Sequence, residues 1–379
     1  MMNAERVKQT FIELLEINSP SRQERGVADY VKTRLTSMGL EVMEDDAGEK
    51  IGGNAGNVIA FLPGTVPNAT PIFLSAHMDT VEPTDKLNLL VENDTVKTDG
   101  STILGGDDKA GIAAIIEGLA DVIAQQTPRG DVQVIFSISE EQGLRGATEL
   151  DRSLIKAKMG YVFDTGRPAA AMIVSAPTHA RLIVDITGKA AHAGVEPESG
   201  ISAIVAASNA ISKMKLGRID KETTANIGKI QGGKARNIVP DAVTISAEAR
   251  SLDNDKLAAQ VKHMTEVFEQ EAAKIGAVAK VDALTQYYTY RWTPNDDVVK
   301  LAMAACDKIG TDHVFLDAGG GSDANIYNTI GIPAMVIGTA YTGPHSTSEQ
   351  ASIKELVKTA EFVKALVESA AQAARSRDC

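Results

Sequence analysis

The sequence predicts an α/β protein with a smaller α+β unit inserted into it, and three observations carry that reading. Up to about residue 176, short apolar strands rich in Val, Ile and Phe alternate with amphipathic helical stretches. From there to about residue 290 the strands carry polar residues along one face and are separated and followed by two long amphipathic helices. The first texture then resumes at Trp292. The larger domain is therefore discontinuous, residues 1–176 and 291–379, with residues 177–290 as the insert; 379 residues suit two or three domains at about 150 each.

The elements follow in order. Val7, Phe11, Leu14 and Leu15 mark one face of a first helix, and Val27, Tyr30, Val31, Leu35 and Met38 one face of a second. Strands are expected at residues 57–62, 71–76, 131–139 and 159–163, with a helix from Lys109 to about Ala124 between two of them. A central sheet covered by helices on both faces satisfies that order. In the insert, residues 181–187, 223–230 and 243–249 read as strands, and about 200–214 and 254–275 as helices. After Trp292 come a helix to Ile309, a short strand at 313–316, a turn and helix from Ser322, a buried strand at 334–337 and a closing helix from Ile353.

Composition narrows the function. With 38 Lys and Arg against 50 Asp and Glu, the net charge of −12 repels nucleic acid and anionic membrane surfaces. An aromatic content of 4% also argues against base-stacking platforms. Two cysteines, Cys306 and Cys379, cannot build a disulfide framework, and Cys379 lies in a charged tail expected to be mobile. The start lacks the basic-then-apolar order of a signal peptide, and Glu117 and Asp121 interrupt the longest apolar run, so the expected location is the cytoplasm.

Polar clusters stand where strands are expected to end, which is where open α/β sheets bind ligands. They are His77-Met78-Asp79-Thr80, Gly105-Gly106-Asp107-Asp108-Lys109-Ala110-Gly111, Glu140-Glu141, Asp164 and Gly343-Pro344-His345-Ser346. Singly, each reads as a turn or a helix cap. The Gly-rich turn lacks the Gly-Lys-Ser/Thr order of a phosphate-binding loop. Together, two His and several carboxylates at the ends of one sheet would crowd like charges unless cations sit among them. Mixed imidazole and carboxylate ligation suits zinc, with manganese or cobalt also acceptable.

In order and approximate spacing these five clusters resemble the M20 family of co-catalytic zinc peptidases, most closely its tripeptidase T-like branch, along nearly the whole chain. The resemblance implies a zinc-peptidase-like catalytic domain with a mixed sheet between helices. It also implies that the insert is a lid that mediates homodimer formation. By the same resemblance Asp107 bridges two divalent metals, His77 and Asp164 complete one site, and Glu141 and His345 the other. A hydroxide shared by the metals would attack the peptide, with Glu140 as general base and Asp79 orienting His77. The family often has a cis peptide after the bridging Asp, here Asp107–Asp108.

Further matches lie in and beyond the insert. His192 corresponds to an oxyanion-stabilising residue that in some members reaches across from the partner subunit. Asn237 and Arg250 correspond to residues holding a substrate carbonyl or carboxylate. Gly320 and Ser322, in the run Gly319 to Asp323, are candidates for binding a substrate carboxylate through backbone N–H groups, with Ser322 equally readable as a helix cap. His179, His263 and His313 match nothing and are read as structural. The function expected is metal-dependent hydrolysis of short peptides, as an aminopeptidase acting on tripeptides. The alternatives on the same scaffold are a carboxypeptidase, a dipeptidase or an aminoacylase-type amidohydrolase; a non-catalytic peptide- or metal-binding protein is the remote one.

Overall fold

The computed structural model describes residues 2–339 and 341–375, and the chain folds into two compact units. Cys379 lies outside the described residues, and Cys306 is a buried free thiol. The first unit comprises residues 1–174, 291–318 and 322–379; the second comprises residues 175–290 together with Gly319–Gly321.

The first unit is built on a nine-stranded mixed sheet. Its run includes Glu41–Glu44, Val58–Leu62, Val132–Ser137, Ile72–His77, Met159–Val162, Ala334–Ile337 and Met172–Ala176, with Phe315–Asp317 beside the last. Ile72–His77 is parallel to both Val132–Ser137 and Met159–Val162, and the latter is parallel to Ala334–Ile337. Every residue of Ile72–His77 and Val132–Ser137 is buried, as expected of strands covered on both faces. The three strands Ile72–His77, Val132–Ser137 and Met159–Val162 thus release their chains at the same edge of the sheet.

The Gly106–Ala124 helix packs against Ile72–His77, and Asp107 and Asp108 at its start are not helical. The peptide between them is cis. Gly111 lies where a Cβ would come within 2.3 Å of the Phe163 carbonyl oxygen, so only glycine lets the first helical turn approach the end of the Met159–Val162 strand. A separate four-stranded sheet, in the order Tyr341–Thr342, Gln350–Ser352, Thr95–Thr98 and Leu89–Glu92, carries a hairpin whose loop holds His345. His345 has a left-handed φ of 61° and Gly343 one of 68°, and these bend the loop.

The second unit is an antiparallel sheet in the order Gly217–Arg218, Thr223–Gly232, Ala242–Ser251, Thr178–Thr187 and Val278–Tyr287. Leu182, Val184, Ile186, Ile245, Ala247 and Ala249 alternate onto one face, where they pack with Ala203, Ala206, Leu257, Met264 and Phe268 of the helices Ala203–Lys213 and Asn254–Lys274. The Val278–Tyr287 strand has no counterpart in the sequence reading. It is an edge strand with Val278 67% and Leu284 53% exposed, so its apolar residues do not follow the half-buried alternation that marks a strand.

Candidate metal centre

The side chains of the candidate centre come from the ends of five different elements of the first unit, Glu140 and Glu141 sharing one. His77 closes the Ile72–His77 strand. Glu140 and Glu141 follow Val132–Ser137 after a turn in which Ser139 takes a left-handed φ of 49°. Asp164 follows Met159–Val162, Asp107 opens the long helix, and His345 comes from the hairpin loop.

These residues converge. His77 Nε2 lies 3.2 Å from Asp107 Oδ1 and 3.7 Å from Asp164 Oδ1. His345 Nε2 lies 3.4 Å from Asp107 Oδ2 and 2.7 Å from Glu141 Oε1. Asp107 therefore turns one carboxylate oxygen toward each imidazole. Two groups of potential metal donors share it, His77–Asp107–Asp164 and Asp107–Glu141–His345, each with its donor atoms within 4.8 Å of one another; His77, Glu140 and Glu141 form a third such group.

The electrostatics follow from crowding acids in a buried place. Burial, reinforced by neighbouring carboxylates led by Asp164, pushes Glu140 well above the usual range, and burial likewise raises Asp164 and Asp108. Asp107 goes the other way: burial would raise it, but contacts with His345 and His77 hold it below the usual range. His345 is pushed up to about 10 by Asp107 and then Glu141. Burial would lower His77, yet Asp107 and Asp79 raise it well above its ordinary value.

Asp79 holds more than the sequence reading assigned to it. His77 Nδ1 meets the Asp79 backbone carbonyl at 2.8 Å, and the Asp79 carboxylate is farther, at 3.4 Å. That carboxylate instead accepts the N–H of Glu140 at 2.9 Å, the N–H of Glu141 at 3.2 Å and the Ser21 hydroxyl at 2.7 Å. Glu24, wholly buried, accepts the N–H and hydroxyl of Ser139, each at 2.9 Å.

Sequence reasoning missed Tyr341, Glu349 and Glu24. The Tyr341 hydroxyl donates to Asp107 at 2.9 Å and approaches Asp164 at 3.3 Å. Glu349 accepts the N–H groups of Gly105 at 2.8 Å and Asp107 at 2.9 Å, across 242 residues of sequence in the second case. Burial pushes its carboxyl up to about 7. Nothing in their local sequence sets these residues apart from ordinary core or turn positions.

In the second unit His192 and Asn237 are exposed. His192 Nδ1 accepts the Gly194 N–H at 3.2 Å, and the Asn237 carbonyl accepts the Ala193 N–H at 2.9 Å. The Arg250 guanidinium is paired with Glu248. Gly320 lies beside it, a Cβ there falling 3.4 Å from Arg250 Nη1. Ser322 is a helix cap: its hydroxyl accepts the Ala324 N–H at 3.3 Å, and its own N–H donates to Asn325 at 3.1 Å. Of the three histidines read as structural, His263 accepts the Lys215 N–H at 3.2 Å, His313 meets Asp307 at 2.9 Å and His179 meets Glu248 at 3.1 Å.

A mixed sheet that gathers imidazoles and carboxylates at the ends of its parallel strands is the arrangement of an α/β hydrolytic enzyme with a cation-binding centre. Residues 73–369 match the profile of Peptidase family M20/M25/M40, and the chain belongs to that family of hydrolases acting on peptide bonds. The family reading made from the five motif clusters is thus borne out. Over 372 residues the chain is 46% identical to the uncharacterised protein YqjE of Bacillus subtilis, covering 98% of this chain and 100% of that one. A tripeptidase of Staphylococcus aureus is 40% identical, with a TM-score of 0.93 over 98% of this chain and 100% of that chain. Aminopeptidase PepT of Bacillus cereus is 42% identical, with a TM-score of 0.89 over 98% and 99%. Among the described residues no helix is long and apolar enough to cross a membrane.

Proposed function

We propose that this protein is a metal-dependent aminopeptidase that removes N-terminal residues from tripeptides and other short peptides in the cytoplasm. The observation that carries the reading is the pair of donor groups sharing Asp107, one oxygen toward His77 and one toward His345. The similarity to a tripeptidase and to an aminopeptidase, each at 40% identity or above, supports the substrate class.

The residues fit two divalent cations. Each would take one imidazole, one terminal carboxylate and a share of Asp107: His77 and Asp164 for one, His345 and Glu141 for the other. The donor set is hard and borderline, suited to zinc first and to manganese or cobalt as well. The carboxyls raised by mutual repulsion and burial are what a cation would relieve. Bound there, the cations would polarise the scissile carbonyl and bring the pKa of a water toward ~7.

The chain's own residues do the rest. Glu140 takes the proton of the attacking water on a carboxylate oxygen and delivers it to the departing amine nitrogen. Asp79 and Glu24 keep Glu140 on its turn through hydrogen bonds to the backbone of residues 139–141. In the second unit His192 stabilises the oxyanion, and Asn237 and Arg250 hold the substrate's carbonyl and terminal carboxylate, with this unit acting as a lid and as the surface of a homodimer.

The test is a panel of tripeptides, dipeptides, N-acetylated tripeptides and N-acyl amino acids, assayed with added zinc, manganese or cobalt. The expected result is release of the N-terminal residue from tripeptides with a free amino group. Cleavage of N-acyl amino acids or release of C-terminal residues would replace this reading with a deacylase or a carboxypeptidase.

A further inference from the structure

His179, read from sequence as merely structural, lies in a row of side chains on the face of the second unit's sheet opposite its helices. Arg250 stands directly across from His179 on one neighbouring strand, and Tyr287 across from it on the other. Directly opposed residues of antiparallel strands share a face, and Glu248, two residues before Arg250, shares it too.

The contacts along this row have a direction. Arg250 meets Glu248 side-on, Nε with Oε1 at 3.2 Å and Nη2 with Oε2 at 3.0 Å. His179 Nε2 meets the same Oε2 at 3.1 Å. The His179 ring lies against Tyr287, with centroids 5.3 Å apart and planes 33° apart. A guanidinium has five N–H donors in a rigid fork, and side-on pairing engages two of them. The end formed by Nη1 and the second Nη2 hydrogen remains, and among the described residues Nη1 makes no hydrogen bond. That end faces the Gly319–Gly321 segment, where a Cβ at residue 321 would lie 2.3 Å from the Tyr287 ring. Glycine is required at 321 because the backbone runs directly over that ring.

Stability does not account for this arrangement. The Arg250 and Glu248 side chains are 28% and 37% exposed, and ion pairs this wet contribute about 0–1 kcal/mol. What the pair does achieve is orientation: a flexible arginine is held with one edge occupied and the other presented. We propose that Glu248 and His179 are positioning residues that hold the Arg250 guanidinium so that its Nη1 end receives one carboxylate, the free C-terminus of a short peptide. The His179 contact, followed by the Arg250 pair, holds Glu248 at about 2, so the clamp stays ionised at any working pH. The inference rests on the reading of Arg250 as the holder of the substrate's carboxylate and adds the residues that make it one.

The experiment measures, by calorimetry on metal-loaded protein carrying Glu140→Gln to prevent turnover, the affinity for a tripeptide and for its C-terminal amide. The parent is expected to prefer the free acid by about tenfold or more, one charge-assisted contact's worth. Adding Glu248→Ala should reduce that preference to near one, and the isosteric Glu248→Gln and His179→Asn should give intermediate values. Asp282→Asn, which breaks an exposed ion pair with Arg181 in the same sheet, should leave it within about twofold. If the Glu248 and His179 variants keep the preference while Arg250→Ala loses it, the positioning role is wrong and Arg250 stands as the holder. If Arg250→Ala also keeps it, both are wrong, and if the parent binds neither peptide, the peptidase reading itself fails.

Discussion

The carboxylate of Asp79 accepts the backbone N–H of Glu140 at 2.9 Å, and with its other oxygen the N–H of Glu141 at 3.2 Å. One buried acid thereby fixes the turn from which two neighbouring glutamates must face one site, although adjacent residues of an extended strand point apart. Asp79→Asn would set an amide NH2 or a weaker acceptor against one of those N–H groups. The expected result is a fall in kcat of about 10- to 100-fold with a lower melting temperature. Steady-state kinetics together with a thermal melt check this, and an unchanged kcat would leave Asp79 with a purely local role.

Glu140 and Glu141 should separate on substitution. Glu140→Gln keeps shape and removes the proposed base, so kcat should drop by roughly 10²- to 10⁴-fold with metal content unchanged. Glu141→Gln should weaken one metal site, and activity should partly return at high metal concentration. Elemental analysis and kcat measured on the same preparations decide between them; metal loss in the Glu140 variant alone would exchange the two roles.

Without metals, His345 is held to about 10 by Asp107 and Glu141, above the 6.5 of a free imidazole. A group raised on folding stabilises fully below its unfolded value, and that contribution is lost as pH rises through the folded one. Chelated protein should therefore lose melting temperature between about pH 6.5 and 10, and His345→Asn should flatten the decline. Activity should vanish on chelation and return with a divalent cation. Equal pH slopes for the two proteins would show that this contact contributes nothing.

The second unit is expected to associate with another copy. Val278 is 67%, Leu284 53% and Tyr288 51% exposed along the last strand of the sheet and its continuation, apolar area of a kind that natural sheet edges seldom leave bare. Sedimentation should give a dimer at micromolar concentration, and Leu284→Lys should shift it toward monomer. If His192 acts across that interface, mixing a His192→Ala chain with a Glu141→Gln chain should restore part of the lost activity.

What the sequence determined by itself is the scaffold and which residues are candidates for the centre. Apolar periodicity located the parallel strands Ile72–His77, Val132–Ser137 and Met159–Val162 to within a residue or two at most of their ends, because strands buried on both faces are continuous apolar runs. The polar residues at or just beyond their ends, His77, Glu140, Glu141 and Asp164, stood out because chemistry is not diluted by core positions at a strand end. What only the tertiary structure decided is how those residues are held. Tyr341 reaches Asp107, Glu349 reaches the N–H of Asp107, and Glu24 reaches Ser139 across 234, 242 and 115 residues. His179 joins Glu248 and Arg250 only through strand register. A periodic pattern records whether a side chain faces a core; it does not record which distant side chain it will meet there. That is fixed by sheet order and register, which are settled when the whole chain packs.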